Sequence, residues 1–493
     1  MNKLLKLENN FSLNRAIDKV QTGAFTFLGA ATILSVLAAF FAELYYLALI
    51  PFGLIVVYLG ITNFRILYYL LLFSIPISIE FSFSNSLATD LPDEPLMIGL
   101  MLITFVFIFS NYKSIPTSFL TQVIVLALVA HLFWIFVTSF TSINVLVSFK
   151  IFAAKIWYAT TFCLLTAIVI KTKEDLKQAF WSIYIPLTLL IIQVIIRHGL
   201  LGFSFDEINE PMTPFFRNHV NYAAIVSIFF PFILLARTWY EKKSIKIRLL
   251  NFSVLLYIAA IYLSYTRTCY LALLAIVPCY YVVRFKLMKP AITIFAMAIT
   301  TLMLFLFTNN NYLRFSPTFE QTILHDGLGD HLSSTFEGKD VSSMERVYRW
   351  VAAARMFQDK PLLGFGSGTF YPTYKRYTVT SFETYVSDNP ERSSAHNQAL
   401  LILTEQGIIG LAIFLILYAI IFIQGEKIYH RTKNEDSKRT IMMLILMMAM
   451  VFVNLTLSDM LESDKVGPFF FMGIALLAAI DIRERGLLKA ETK

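Results

Sequence analysis

The chain has 493 residues, of which 57% are hydrophobic and only 15% are charged. About a quarter of the residues in a soluble globular protein are charged, so this composition excludes a soluble fold. The formal charge of +8 does not indicate nucleic-acid binding, because 46 Phe residues and long uncharged runs are typical of a protein in lipid, where excess Lys and Arg mark cytoplasmic loops. All three cysteines, Cys163, Cys269 and Cys279, lie in apolar runs, so we expect neither a disulfide framework nor a zinc site in an external domain.

Fourteen apolar runs predict membrane-spanning helices, because a helix needs roughly 20 apolar residues to cross the hydrocarbon core. The runs lie near residues 22–42, 44–62, 65–80, 96–110, 118–138, 147–170, 178–197, 218–236, 249–265, 268–283, 291–308, 398–424, 441–458 and 467–481. They are too long and too uniformly apolar for barrel strands. The predicted fold class is an all-α polytopic membrane protein of about 12–14 helices, with one large extracytoplasmic loop that contains short helices.

The charges between the runs support this order. If the N-terminus is cytoplasmic, every second turn carries Lys or Arg, whereas the outer segment 80–94 carries none. The first run has no small-residue cleavage site after it, so we expect a retained helix and not a signal peptide. The pattern predicts an N-terminal bundle of about 11 spans (1–308), an extracytoplasmic loop (309–397), and C-terminal spans with a cytoplasmic tail (398–493).

The outer loop contains one predicted helix and one predicted turn. The stretch 342–345, Ser-Ser-Met-Glu, fits a capping box, and apolar residues recur after it at helical spacing, so we predict an amphipathic helix over residues 343–358. Gly364, Gly366 and Gly368 follow it. A dinucleotide-binding fingerprint follows a strand and opens a helix, so these glycines indicate a turn or hinge.

His396 lies where the loop ends and the next run begins. The partial positive charge at a helix N-terminus favours a neutral imidazole, which is the form that a general base requires. Structural capping is the alternative. Gly407 and Gly410 lie further along this run and predict close approach of a neighbouring helix. Glu405 is a candidate second acid/base group, although an ion pair with an Arg is the favoured interpretation.

Several basic residues lie at or near the predicted outer face, where the topology does not call for them. They are Lys150, Lys155, Arg197, Arg217, Arg267, Arg346 and Arg349. Ionisable groups in a membrane are costly and usually face a polar cavity or a partner. If these groups converge, they suit a phosphate or diphosphate, because the guanidinium fork binds two oxygens at once.

Each of these residues also has a structural alternative. Arg217, Arg197 and Lys150 can extend to the outer interface. Lys155 can pair with an external acid, and a solvated helix face is the default for Arg349.

Two spacings resemble those of the O-antigen ligase/O-antigen polymerase superfamily of bacterial envelope glycosyltransferases. Arg267 is followed four residues later by Leu271, and His396 is followed eleven residues later by Gly407, in this order and on either side of a large external loop. Arg346, Trp350 and the segment Pro361-Leu-Leu-Gly-Phe-Gly-Ser-Gly add to the resemblance, which covers about residues 217–425.

The resemblance implies an enzyme of the bacterial cytoplasmic (inner) membrane with an extracytoplasmic active site. It implies metal-independent, inverting transfer of a glycan from undecaprenyl diphosphate to a sugar hydroxyl, without a cofactor. Arg267 and Arg346 would bind the diphosphate, and His396 would orient or deprotonate the acceptor. The further candidate substrate contacts are Arg217, Arg349, Lys150 and Glu405. The implied partners are the lipid-linked donor, a lipid A core or other glycan acceptor, and membrane lipid, with no nucleic acid.

Two other functions compete with ligation. A polymerase of the same superfamily differs only in its acceptor, which is a second lipid-linked repeat unit. A lipid-glycan flippase or transporter is favoured by the number of spans and by Lys150 and Lys155. The lack of an internal repeat argues against a transporter, because many transporters are built from repeats.

Overall fold

A computed structural model describes residues 23, 26–38, 40–41, 50–84, 87–110, 117–315, 341–379, 389 and 393–491. Within these ranges the chain is almost entirely helical. The helices are α1 (Thr26–Ala38), α2 (Ile50–Ser74), α3 (Asp93–Ser110), α4 (Thr117–Leu120), α5 (Val123–Phe140), α6 (Val145–Tyr158), α7 (Thr166–Val169), α8 (Lys173–Leu200), α9 (His219–Ala236), α10 (Ile245–Leu263), α11 (Arg267–Arg284), α12 (Met288–Phe307), α13 (Val341–Asp359), α14 (Phe370–Tyr374), α15 (Gln398–Arg431), α16 (Glu435–Thr456) and α17 (Gly467–Glu491). A π-helical segment, Ala159–Leu165, joins α6 to α7.

The prediction of an all-α polytopic membrane protein is confirmed. Among the described residues, nine helices are long and apolar enough to cross a membrane. The predicted second and third spans correspond, within the described residues, to the two parts of α2, which are separated by a kink at Asn63 (φ −155°, ψ 73°). The predicted spans near 96–110 and 467–481 lie on α3 and α17. The first predicted span lies partly outside the described residues.

A β-hairpin occupies the segment that the charge pattern treats only as an acidic outer turn. β1 (Ile79–Ser84) pairs antiparallel with β2 (Leu87–Leu91), and Glu80 lies opposite Asp90. The sequence analysis predicted no strand here. The pairing satisfies the backbone hydrogen-bonding groups of a segment that lies beyond the apolar helices.

Long-range hydrogen bonds show which helix ends lie together. We call the end of the bundle that carries residues 309–397 the loop face, and the other end the opposite face. At the loop face, Asn397 Nδ2 donates to the Thr456 carbonyl (2.8 Å), and the Thr266 hydroxyl donates to the His219 carbonyl (3.5 Å). At the opposite face, Lys173 pairs with Asp436 (2.6 Å). The starts of α9, α11 and α15 and the end of α16 are therefore close neighbours at the loop face.

Helices α9 and α16 lie in the centre of the bundle, whereas α12 is peripheral. Most of the apolar stretch of α9 and of α16 is buried (78% and 72%), but none of that of Met288–Arg314 is. Small residues explain the close packing of α9, because Ala223, Ala224 and Ser227 are fully buried there. Ser227 Oγ also contacts Cys269 Sγ of α11 (3.6 Å).

Helix α15 is broken at Gly407, which adopts φ +70° and ψ −174°. The predicted close approach of a neighbouring helix is confirmed at Gly410, which packs against α5, whereas the element that approaches Gly407 is the backbone of Leu362. A Cβ on Gly407 would lie 2.1 Å from the Leu362 carbonyl oxygen, so only glycine fits. The freed Gln406 carbonyl accepts a hydrogen bond from Trp134 Nε1 of α5 (3.0 Å), and Gly410 packs against the same indole ring.

The glycine-rich segment after α13 lies along this break. The Phe365 and Gly366 amides donate to the Thr404 and Glu405 carbonyls (3.0 and 2.8 Å), and the Ile408 amide donates to the Pro361 carbonyl (2.8 Å). Gly364 has φ +68°, and a Cβ there would lie 2.4 Å from the Glu405 carbonyl carbon. The predicted turn is confirmed. It binds the interrupted helix edge through backbone hydrogen bonds and fixes the loop to α15.

Candidate active site

Helix α13 forms as predicted, and its two arginines differ sharply in environment. Arg349 is one of the largest fully buried side chains, with 1% of its surface exposed. Its guanidinium pairs with Glu345, one turn earlier, and Nη1 donates to the Ser394 carbonyl (3.2 Å). Arg346 is half-buried on the same helix. The expectation of a solvated Arg349 is wrong, because the end of the loop covers it.

The segment before His396 is held by side chains of α13. Arg349 binds the Ser394 carbonyl, and Trp350 Nε1 donates to the Ala395 carbonyl (2.9 Å). Trp350 therefore has a structural contact with the end of the loop. Because two consecutive carbonyls are bound, the backbone that leads to His396 has a fixed position.

His396 lies immediately before the cap of α15. Asn397 is the N-cap residue, and its side chain accepts a hydrogen bond from the Leu400 amide (2.9 Å). His396 itself adopts a left-handed conformation (φ +49°), which is uncommon for a residue with a Cβ. The predicted position at a helix N-terminus is confirmed. The unusual backbone angle is of the kind that proteins keep at functional sites.

Asp459 lies beside the imidazole of His396. The His396 Nδ1 atom is 4.0 Å from Asp459 Oδ1, and the side chains are 31% and 21% exposed. The Ser394 hydroxyl donates to the other carboxylate oxygen, Oδ2. Burial raises the pKa of Asp459, while the Ser394 hydrogen bond lowers it. The turn between α16 and α17 thus brings an acid to the histidine from 63 residues away.

The histidine is held in its neutral form. Burial, followed by the positive charges of Arg349 and Arg346, lowers the pKa of His396 from 6.5 to about 3. The predicted direction is confirmed, but its cause is different, since burial and two guanidinium groups act here and not the helix terminus alone. The same effect shows that His396, Arg346 and Arg349 share one electrostatic environment.

Arg267 is the first residue of α11, at the loop face, and its side chain is half-buried. Two residues further on, Cys269 Sγ contacts Asn454 Oδ1 of α16 (3.4 Å). Thr456, on the last turn of α16, accepts a hydrogen bond from Asn397. The start of α11 and the start of α15 therefore both pack against the end of α16.

The other candidate substrate contacts differ in their exposure and in their ion pairs or hydrogen bonds within the protein. Arg217 is exposed and pairs with Glu80 of the hairpin (Nε to Oε2, 2.8 Å). Lys150 is exposed on α6. Glu405 is buried, and its carboxylate accepts a hydrogen bond from the Phe370 amide (3.1 Å). The expected ion pair between Glu405 and an Arg is wrong, because this carboxylate binds the start of α14.

Two more of the unusual cations have structural partners. Lys155 is buried and pairs with Glu462 (3.1 Å), so the expected ion pair with an acid is confirmed. Arg197 donates to three backbone carbonyls, those of Glu210, Pro211 and Thr213. Neither cation is directed at the His396 site by these contacts.

Sequence analysis missed Asp459, Ser394 and Glu345. A signal existed for Asp459, because it lies in a short outer turn between two apolar runs. Ionisable groups at the end of a span are costly and often functional, whether they are acids or bases. Ser394 and Glu345 carried no comparable signal, since their contacts depend on how the loop folds back.

The family model described as O-Antigen ligase matches residues 252–415. The match supports similarity of this part of the chain to the O-antigen ligase superfamily. No curated protein matches the chain.

The O-antigen ligase region runs from α10 to the first part of α15, so it contains Arg267, Arg346, Arg349 and His396. Asp459 and Arg217 lie outside it. The family indicates a glycosyltransferase-type membrane enzyme that acts on a lipid-linked glycan and a glycan acceptor.

Proposed function

We propose that the protein transfers a glycan from undecaprenyl diphosphate to an acceptor sugar hydroxyl at the extracytoplasmic face, as an O-antigen ligase does. One observation carries the proposal: a neutral, partly exposed His396 lies between an acid, Asp459, and the guanidinium groups of α13, within a region of the ligase superfamily. A base and preorganised cations are the two elements that displacement of a diphosphate requires.

In the proposed step, the acceptor oxygen attacks the anomeric carbon of the donor as the bond from that carbon to the diphosphate oxygen breaks. The bonding electrons leave with the diphosphate, and the acceptor proton passes to His396. A single displacement inverts the anomeric configuration. With the Nδ1 proton directed at Asp459, Nε2 is the nitrogen that accepts the proton. The 4.0 Å separation from Asp459 would shorten as the imidazolium forms.

The arginines connect donor binding to the strength of the base. Arg346 and Arg349 help to keep the His396 pKa near 3 in the free enzyme, which makes the ring a weak base. A bound diphosphate neutralises cationic charge nearby and raises that pKa towards neutrality, where general bases are most effective. The base would therefore become strong only when the donor is present, and this limits proton abstraction without a donor.

Arg267 and Arg346 are the proposed diphosphate ligands. Both are half-buried, whereas Arg349 is buried and binds Glu345 and Ser394. We assign Arg349 to positioning of the Ser394–His396 segment and to the local electrostatic field. Guanidinium groups that bind leaving-group oxygens stabilise the charge that develops as the bond breaks.

Arg217 and Lys150 are proposed as outer contacts for the donor or acceptor, because both are exposed at the loop face. Glu405 is proposed to support the site through the start of α14, since its carboxylate is already engaged there. The acceptor is a lipid A core or another glycan. A polymerase would use a second lipid-linked repeat unit in the same place.

The test is a reconstituted reaction. Purified protein is mixed with undecaprenyl-diphosphate-linked glycan, with or without a lipid A core acceptor, in the presence of a chelator. We expect release of undecaprenyl diphosphate and a product that is larger than the acceptor by one glycan. Chain growth without acceptor identifies a polymerase, and transbilayer movement of an unchanged donor identifies a flippase. Loss of turnover with the chelator contradicts metal independence.

Arg267→Lys tests the proposed diphosphate contact, because it keeps the charge but loses the two-pronged fork. We expect at least a tenfold fall in kcat/KM. The matched control is Arg237→Lys at the opposite face, where the guanidinium donates to Asn251 (2.7 Å). Equal activity of both variants rejects bidentate binding by Arg267.

A further inference from the structure

A cavity lies at the opposite face of the bundle, away from His396. Its volume is about 520 Å³, within the range of small-molecule sites in proteins. It is bounded by the end of α7, the start of α8, the start of α16 and the last part of α17. None of the residues assigned to transfer lines it.

The cavity has a polar mouth and an apolar interior. Lys171, Lys173 and Arg483 line the mouth, whereas Ile170, Leu176 and Leu476 line the walls. Leu176 and Leu476 also border a smaller apolar void of about 30 Å³ that lies among Phe180, Phe229 and their neighbours. The shape therefore fits a molecule with a polar head and an apolar tail.

The charges at the mouth favour an anion. Lys173 is neutralised by Asp436 (2.6 Å), and Glu484, the other acid in the wall, interacts electrostatically with Arg431. Lys171 and Arg483 form no ion pair within the part of the chain that the structure describes. Arg483 Nη1 donates to the Lys171 carbonyl (3.2 Å), which holds the two cations at the same edge of the cavity.

We propose that this cavity binds an anionic phospholipid, with its phosphate at Lys171 and Arg483 and an acyl chain along Leu176 and Leu476. Basic pockets between transmembrane helices bind anionic headgroups by this combination of charge and apolar surface. Such a lipid would connect α8, α16 and α17 from the side opposite the glycan site. The inference is independent of the proposed transferase activity.

Trp239 lines the cavity, so it can report on an occupant. Phosphatidylglycerol with brominated acyl chains is titrated into delipidated protein in detergent, and quenching of tryptophan fluorescence is measured. We expect a saturable component that Trp239→Phe removes and that unlabelled phosphatidylglycerol displaces. Brominated diacylglycerol, which has the same chains but no phosphate, should bind at least tenfold more weakly.

Lys171→Glu/Arg483→Glu reverses the charge at two exposed positions and should weaken binding at least tenfold. Lys438→Glu is the matched control, because Lys438 lies on the same face beside Glu435 (3.2 Å) but outside the cavity. Ala479→Phe, which fills the cavity without adding a tryptophan, is the second variant and should also prevent binding.

Three results would overturn the proposal. In the first, Trp239→Phe retains the saturable component, so the lipid binds elsewhere. In the second, the charge-reversal variant binds as the wild type does. In the third, millimolar inorganic phosphate changes the fluorescence of Trp239 whereas brominated phosphatidylglycerol does not quench it. This result identifies a free-phosphate site and rejects a lipid site.

Discussion

The two faces of the bundle treat their charges differently. At the loop face, the cations Lys155, Arg349 and Lys465 are buried, with side-chain exposures of 6%, 1% and 5%. At the opposite face, the paired cations Arg65, Lys173 and Arg485 are 49%, 37% and 51% exposed. Among the described residues, the loop face has buried paired cations as well as the exposed Arg217, whereas the paired cations of the opposite face keep 27–51% of their side chains exposed.

This difference in burial distinguishes charges that set the topology from charges that belong to the candidate site. Exposed ion pairs contribute about 0–1 kcal/mol and satisfy the rule that excess positive charge stays on one side of the membrane. Buried pairs are costly to desolvate, so each must be held by good geometry and additional hydrogen bonds. The loop face has this construction around His396, where Arg349 binds both Glu345 and Ser394. Burial, more than the number of charges, marks the candidate site.

The largest expected effect is on turnover. His396→Ala removes the proposed base and should lower kcat/KM by roughly 10²- to 10⁴-fold, while the protein still folds in membranes. The control at the opposite face is His430→Ala, where Nε2 only binds the Val283 carbonyl (2.8 Å). The measurement is polyprenyl diphosphate release. Similar rates for His396→Ala and wild type remove His396 from the mechanism.

The next effect is on the pH profile. Because the His396 pKa is about 3 in the free enzyme, kcat/KM should show no acid limb from this residue between pH 5 and pH 7. An unperturbed histidine would be mostly protonated at pH 5 and would lower kcat/KM roughly 30-fold. Because the pKa of His396 is lowered in the folded state, the unfolded state binds a proton at a higher pH. The contribution of His396 therefore lowers the free energy of unfolding as the pH falls from 6.5 towards 3. An acid limb near pH 6.5 that disappears in His396→Gln contradicts the assigned environment.

The third effect is on stability and compares the faces directly. Glu345→Gln leaves the buried Arg349 without its carboxylate and should lower the free energy of unfolding by about 3–5 kcal/mol. Asp436→Asn breaks the exposed Lys173 pair and should lower it by about 0–1 kcal/mol. Denaturant unfolding in detergent gives both values. If the two losses are equal, burial is not what distinguishes the faces.

The smallest effect tests an exposed pair at the loop face. Arg217→Gln breaks the contact with Glu80 and should change the free energy of unfolding by no more than about 1 kcal/mol, since the Arg217 side chain is 64% exposed. If Arg217 contacts the donor, KM for the donor rises several-fold with little change in kcat. Lys177→Gln, at the Glu174 pair of the opposite face, is the control. An unchanged KM assigns Arg217 to the hairpin contact alone.

Local patterns predicted the elements better than they predicted the partners. The capping pattern placed α13 and the start of α15 within a few residues, because caps and helical spacing are local. The break at Gly407 escaped prediction, since an apolar run keeps its periodicity whether or not one residue leaves the helix. The pairing of His396 with Asp459 and of Arg349 with Glu345 under Ser394 depends on tertiary packing, which spacing does not encode.

The interruption of α15 also joins both parts of the helix to one segment of the loop. Residues 408–431 form the longer piece, which at 1.5 Å per residue exceeds a hydrocarbon thickness of roughly 30 Å and must tilt or adjust in thinner membranes. Residues 398–406 are joined sideways to the Pro361–Gly366 segment through backbone hydrogen bonds. Because the Ile408 amide of the longer piece donates to the Pro361 carbonyl of the same segment (2.8 Å), a change in the tilt of that piece acts on the segment that holds the shorter one.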